Sequence, residues 1–252
     1  MNSFSVVIVC KNEAEIIASS LQSLAGLTDD IVVYDTGSSD GTQTLVKQLG
    51  LPLHEGSWEG YGRTKNKAAQ LARYNWILSL DADEGVDDTL RESLKKLEPG
   101  NESTVYDIRR RNFLGKHYLR FGHWGRDHLI RFFNRKKVSW NDDAVHEKLN
   151  LPAGTSIKKI NGFILHHSIR DFRDYSEKML HYAFLGAEKY YQAGRKATWL
   201  RIYISPCFNF FSNYILKLGF LDGYAGYVTA KMTSWYTFLK YAQLKALREK
   251  LK

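Results

Sequence analysis

A chain of 252 residues, 44% hydrophobic and 25% charged, has the make-up of a globular protein, with material for one α/β domain and a modest appendage; disordered and fibrous classes are excluded. Its formal net charge of +9 implies an anionic partner, either nucleic acid, a phosphorylated substrate or a membrane surface. Cys10 and Cys207 are too far apart in sequence for a disulfide framework or zinc pattern, and residues 1–9 lack a basic leader, so a reducing compartment such as the bacterial cytoplasm is expected.

Residues 4–9 read as a buried strand, and residues 12–25 follow with helical spacing through Ile16, Ile17, Leu21 and Leu24. A second strand, 31–34, ends at Asp35, and the turn after it opens a helix with Asp40 as the expected N-cap. A short strand is expected at 51–54, a helix at 60–74, a strand at 75–80 and a helix at 87–97. This alternation means βαβ units and a mostly parallel sheet. After Pro99 and Gly100 the pattern changes: 105–111, 128–134 and 157–167 read as strands without helices between them, which predicts an antiparallel or mixed portion. A long helix is expected at 171–194, and the remaining tail is helical with Gly and Pro breaks. The expected division is a domain at 1–170, with halves meeting near residue 98, and a tail at 171–252.

Chemistry concentrates where strands end. Asp81, Asp83 and Glu84 appear abruptly after the apolar run 76–80, at the carboxyl end where open α/β sheets place ligands. Carboxylates this close repel one another unless a cation or hydrogen bonds hold them, and oxygen ligands on a short turn suit Mg²⁺ or Mn²⁺. Val9, Lys11, Asn12 and Glu13 end the first strand, and the Asp35 turn ends the second, so their acids converge on one crevice. Between them Arg63, Lys65, Asn66 and Lys67 open a helix with basic and amide groups suited to phosphates or a base.

Together these motifs resemble the family 2 glycosyltransferases, nucleotide-sugar enzymes of the GT-A fold. The likeness rests on Val9–Glu13, on the Asp-x-Gly-Ser-x-Asp-Gly-Thr turn from Asp35 to Thr42, and on the Asp-x-Asp of Asp81, Ala82 and Asp83. It is strong over residues 3–84 and looser to about 170. The resemblance implies that Asp35 meets the uracil and that Glu13 lies near the ribose. It places Asp81 at the nucleoside side beside Ala82, Arg63 and Asn66 at the nucleotide end, and a divalent ion on Asp83. Inverting transfer further needs a carboxylate base for the acceptor hydroxyl, and no general acid. The Glu-Asp pair that many members use has no clear copy here. In its place Val145, His146 and Glu147 resemble a subgroup that includes lipopolysaccharide core glucosyltransferases. Glu147 is the expected base, Asp143 the second choice, and His146 an orienting or acceptor contact. His166, at the end of a later strand, is a candidate ion ligand. Trp124 and Arg126, in a stretch rich in His, Trp and Arg, are candidate acceptor contacts.

The tail adds a separate signal. From Lys196 onward nine basic residues stand against two acids, Asp222 and Glu249, among many aromatics. Residues 205–221, the most apolar stretch, fall short of the roughly 20 needed to span a bilayer. Basic and aromatic residues together suit a helix lying in the headgroup layer, and a helical subdomain packed on the core is the alternative. The expectation is a hexosyltransferase on the cytoplasmic face of the inner membrane. Its donor would be UDP-glucose and its acceptor a lipid-linked saccharide of the lipopolysaccharide core, with an anionic membrane surface as a peripheral partner. Neither nucleic acid nor a stable protein partner is expected. Other envelope polysaccharides or protein glycosylation are alternative acceptors. A phosphatase of the haloacid dehalogenase type would leave the Asp35 turn unexplained. A basic nucleic-acid module would leave the acidic crevice unexplained.

Overall fold

In the computed structural model, which describes residues 3–141 and 148–249, the chain opens with β1 (Ser5–Cys10), α1 (Ile17–Ser23), β2 (Ile31–Asp35), α2 (Thr42–Gln48) and β3 (Leu53–Glu55). It continues through α3 (Tyr61–Gln70), β4 (Trp76–Asp81), β5 (Glu84–Val86) and α4 (Asp88–Lys96). Strands β6 (Thr104–Leu114), β7 (His117–Leu119), β8 (His128–Asn134), β9 (Ser139–Trp140), β10 (Leu149–Asn150) and β11 (Ser156–Ile169) follow. The tail holds α5 (Phe172–Gln192), α6 (Ser205–Phe211) and α7 (Gly223–Glu249). The chain divides into two units: Met1–Arg110 with His128–His166, and Arg111–Asp127 with His167–Lys252.

Among the described residues, the large sheet runs in the order β3-β2-β1-β4-β8-β6-β11-β5. β1 pairs in parallel with β2 and β4, whereas β8 meets β4 antiparallel, so the sheet is mixed as expected for GT-A. Nearly every β1 position is buried, which explains its apolar run from Val6 to Cys10: helices cover both faces. Val6, Ile8 and Cys10 join Ile17, Leu21, Val46, Leu90 and Leu94 in one core layer. Val7 faces the other layer with Ala68, Ala69, Ala72 and Ile77, where small alanines let α3 lie close to the strands.

Several local expectations shift. The first helix begins at Ile17, not at residue 12, because Asn12 takes φ 56° and the Glu13 carbonyl closes a turn onto the Ile16 and Ile17 amides. Asp40 is not the N-cap of α2; Gly41 holds that place, and Asp40 stands one residue earlier. β5, β7, β9 and β10 went unread because two or three residues cannot display a period. Pro206 is no break either. It occupies the first turn of α6, and the π-helical turn Leu200–Ile204 runs straight into it.

In the second unit, β7 pairs with the end of β6, from Asn112↔Leu119 to Leu114↔His117. Asp171 caps α5 by accepting from the Asp174 amide, and Tyr175, Ile169, Val228 and Met232 form the core with Trp124 against them. Burial pushes the Tyr175 hydroxyl up to about 12. Among the described residues, no helix is long and apolar enough to cross a membrane.

Candidate active site at the strand ends

The register sets neighbours at the carboxyl edge: Cys10 lies beside Asp35, and Val9 beside Asp81. Sheet order reverses around β1, so the turns after β1, β2 and β4 border one crevice.

The first two turns are laced together. Asn12 Oδ1 accepts from the Ser39 amide (2.8 Å), the Asn12 amide donates to Ser38 Oγ (2.8 Å), and the Glu13 amide donates to Thr42 Oγ1 (2.8 Å). Asp40 Oδ2 accepts from the Ala14 amide at 3.0 Å. Asp35 organises the turn. Fully buried, it accepts from the Gly37 and Ser38 amides (3.0 and 2.9 Å), Gln43 Nε2 (2.7 Å), Ser38 Oγ (2.5 Å) and Cys10 Sγ (3.5 Å). A carboxylate offers about four lone-pair sites, so the group assigned to the uracil is already saturated by its own chain. Burial raises its pKa, but the Ser38, Gln43 and Gly37 hydrogen bonds outweigh that and hold it below the ordinary carboxylate value. Burial also pushes the Cys10 thiol up, with the Asp35 charge adding to it.

These bonds give a pH signature. Because the folded-state pKa of Asp35 is depressed, its stabilisation is full above the unfolded value of about 3.9 and is lost as pH falls through the folded value. Asp35→Asn replaces an acceptor oxygen by a donor facing donors, and is expected to lose about 1.5–3 kcal/mol at neutral pH. Urea titrations of both proteins across acid pH should show that deficit narrowing below about pH 4. A deficit that stays constant would remove the charge from the explanation.

The three carboxylates after β4 diverge onto different partners. Asp81 takes Lys65 Nζ at 2.8 Å and Arg131 at 2.7 Å. Burial raises the Asp81 pKa, yet these two cations dominate and hold it far below the usual range. Glu84, fully buried, accepts from the Asp81 amide (3.0 Å) and pairs with Arg110 and Arg131, each at 3.2 Å. Asp83 turns elsewhere: its Oδ2 lies 3.5 Å from His166 Nε2. β11 makes that approach possible by pairing antiparallel with β5, setting His166 opposite Glu84. An oxygen and a nitrogen donor this close are groups that could together hold one small divalent ion. Among the described residues, no group of three His, Cys, Asp or Glu is arranged to hold a metal.

The remaining expected residues fall in different places. Arg63 and Lys11 are exposed, Val9 is half-buried and Ala82 is buried. Both ends of the Asn66 amide are taken by the Trp140 backbone at 2.9 Å, so Asn66 clamps β9 to α3. Gly62 allows that approach: a Cβ there would stand 1.7 Å from the Asn141 carbonyl oxygen. Trp124 packs edge-on against Tyr175 in the second unit, with Arg126 exposed beside it. Asp143, His146 and Glu147 lie outside the described residues.

The sequence reading left Glu84 without a role and did not assign Lys65, Arg110 or Arg131 to the acidic cluster. Three crowded acids demand counter-charges, and that demand was the only available signal. A cavity of about 410 Å³ adjoins this network, lined by Arg131 and Trp140 together with Asp107, His128, Lys148 and Leu149.

Residues 5–153 match the family model described as glycosyl transferase family 2. A lipopolysaccharide core biosynthesis glycosyltransferase of Rhizobium meliloti, LpsC, is 28% identical over 95% of this chain and 91% of its own length. An uncharacterized glycosyltransferase of Rickettsia felis is 25% identical over 97% of this chain and 90% of its own. Among solved structures, S. aureus TarS is 15% identical, covering 99% of this chain and 92% of that one, with a TM-score of 0.48.

Proposed function

Because the chain belongs to glycosyl transferase family 2, we propose that it is an inverting, metal-dependent hexosyltransferase using a UDP-sugar, UDP-glucose foremost. The observation that carries this reading is the Asp83–His166 pair, 3.5 Å apart at the edge where the β1, β2 and β4 turns meet. A divalent ion bound there would neutralise the diphosphate of the leaving nucleotide. Asp81, kept ionised by Lys65 and Arg131, serves the nucleoside side with Arg63, Glu13 and Lys11. With Asp35 internally saturated, the uracil pocket is formed by the turn that Asp35 holds in shape. Glu147, or Asp143 in its place, takes the proton from the acceptor hydroxyl as that oxygen bonds the anomeric carbon and the bond to phosphate breaks on the opposite face.

The acceptor in this reading is a lipid-linked saccharide of the bacterial lipopolysaccharide inner core, reached by peripheral attachment to the cytoplasmic face of the membrane. The relative in Rhizobium meliloti supports that choice by its own assignment to core biosynthesis.

A thermal-shift panel of nucleotide sugars, with and without Mn²⁺, tests the donor. A ligand at a hundred times its Kd adds about 2.7 kcal/mol to folded-state stability. One UDP-sugar that stabilises only with Mn²⁺ is the expected result; no stabilisation by any UDP-sugar would sink the reading. Glu147→Gln should retain that shift while transfer falls by about a hundredfold or more. Undiminished transfer would move the base to Asp143.

A further inference from the structure

Around α6 the second unit is packed inside out. Where α6 meets α7, polar groups point inward: Asn209 Nδ2 donates to Thr237 Oγ1 (2.8 Å) and Ser234 Oγ to the Pro206 carbonyl (2.8 Å). Asn213 Nδ2 donates to both the backbone carbonyl and the side-chain oxygen of Asn209, at 2.9 and 2.6 Å. Along α7, the Thr229, Thr233 and Thr237 hydroxyls donate back to carbonyls one turn earlier, those of Gly226, Thr229 and Thr233. Small residues close the contact. A Cβ on Gly226 would stand 1.8 Å from the Gly219 carbonyl oxygen.

The large apolar side chains of the same segment face outward. Trp199 is 64% exposed, Tyr203 63%, Phe208 63%, Leu216 60%, Leu221 54% and Tyr224 80%. Water favours the reverse arrangement, and soluble monomers rarely leave large apolar groups gathered at the surface. Small-residue contacts and side-chain hydrogen bonds inside, with bulky apolar groups outside, describe helices whose solvent is lipid. The depth of entry is limited: among the described residues no helix is long and apolar enough to cross a membrane. Aromatic residues in this number suit the headgroup level.

Charge selects the lipid. Nine basic residues lie from Lys196 onward, and Asp222, one of the two acids there, turns its carboxylate onto the Arg120 and Phe121 amides. A second copy of a chain carrying +9 would meet this face with like charge.

We propose that residues 199–224 form a shallow insertion surface for an anionic bilayer. The aromatic and aliphatic groups seat at the boundary of headgroups and acyl chains, while Lys196, Arg201 and Lys217 contact the anionic headgroups. This gives the peripheral attachment of the function above its location and mode, and rests on that reading only for the purpose of attachment.

The test is co-sedimentation of the full chain with vesicles of phosphatidylcholine alone or mixed equally with phosphatidylglycerol. The wild type should prefer the mixed vesicles by roughly five-fold for each engaged basic residue and be partly released by salt. The triple variant Phe208→Ser, Leu221→Ser, Tyr224→Ser should bind about a hundredfold more weakly, since each side chain loses its apolar burial. Lys196→Glu with Arg201→Glu should lose the preference for anionic lipid and keep the weaker binding to neutral vesicles. Circular dichroism and an unchanged UDP-induced thermal shift verify folding of each variant. Wild-type protein that stays in the supernatant, or a triple variant that binds undiminished, overturns the proposal. So does a wild-type dimer that the triple variant converts to monomer, which would give this face to a second copy. Vesicle binding needs no nucleotide, so it can fail while the donor assignment stands, and the reverse.

Discussion

Asp83→Ala is expected to lower UDP-sugar transfer by about a thousandfold, the scale of removing a main electrostatic stabiliser of a developing anion. The expectation follows from the way the acidic cluster divides. Asp81 already has Lys65 and Arg131, and Glu84 has Arg110 and Arg131, whereas Asp83 meets His166 across 3.5 Å. Asp83 is therefore the carboxylate of the three best placed to meet a divalent ion. The Asp81 and Glu84 ion pairs do not depend on it, so folding should be largely unaffected. Two measurements separate the causes: steady-state transfer, and the Mn²⁺-dependent part of the UDP-sugar thermal shift. In Asp83→Ala the first should fall by that factor and the second should vanish. A variant that keeps the Mn²⁺-dependent shift would take the metal away from Asp83, and full transfer would remove it from the site altogether. His166→Ala, by the same geometry, should weaken the shift less.

Glu84→Ala is the counterpart for stability, with an expected loss of about 3–5 kcal/mol, the cost of removing one partner from a buried ion pair. Glu84 is fully enclosed. Its removal takes the 3.2 Å contact from Arg110 and the Glu84 carboxylate from Arg131, and deprives the Asp81 amide of its acceptor. Urea unfolding should show a lower midpoint with an unchanged slope, since the surface exposed on unfolding stays the same. Glu84→Gln retains a carbonyl oxygen for the Asp81 amide and should lose less than Glu84→Ala. Equal losses in the two would mean that volume, not hydrogen bonding and charge, sets the effect. A midpoint matching wild type in Glu84→Ala would show that this ion pair contributes nothing to the fold.

These two neighbours, one residue apart, show how far the sequence carries. The run into Asp81, Asp83 and Glu84 announced a strand end with a surplus of negative charge, and the motifs at Asn12–Glu13 and Asp35–Thr42 supplied the family. What the pattern did not supply is the cations that hold the acids: Lys65 and Arg131 on Asp81, and Arg110 and Arg131 on Glu84. Asp35 illustrates the same limit. Its motif marked the turn and the nearby Gly37 and Ser38 donors, but Gln43 and Cys10, eight and 25 positions away, reach it only through the helix and the strand pairing. Asn66 was read as a ligand contact for its polarity, and the structure occupies that polarity with the Trp140 backbone. The tail gave its charge and aromatic content at once, yet the inversion of its packing became visible only when Asn213, Thr229 and Thr237 proved buried and Phe208 and Tyr224 exposed.

The sequence by itself determined the longer elements, their mixed α/β order and the membership that the strand-end motifs announce, because those depend on residues near one another in the chain. Apolar periodicity, caps and turns are local, and a short motif keeps its spacing whatever surrounds it. Tertiary structure decided the counter-ions. Arg131 reaches Asp81 across 50 positions of sequence and Glu84 across 47, and His166 arrives through a strand pairing with β5, three residues long. Charge on a carboxylate is legible from its identity, but its free energy depends on what lies within a few ångströms. That distance is set by sheet register, which no local pattern records.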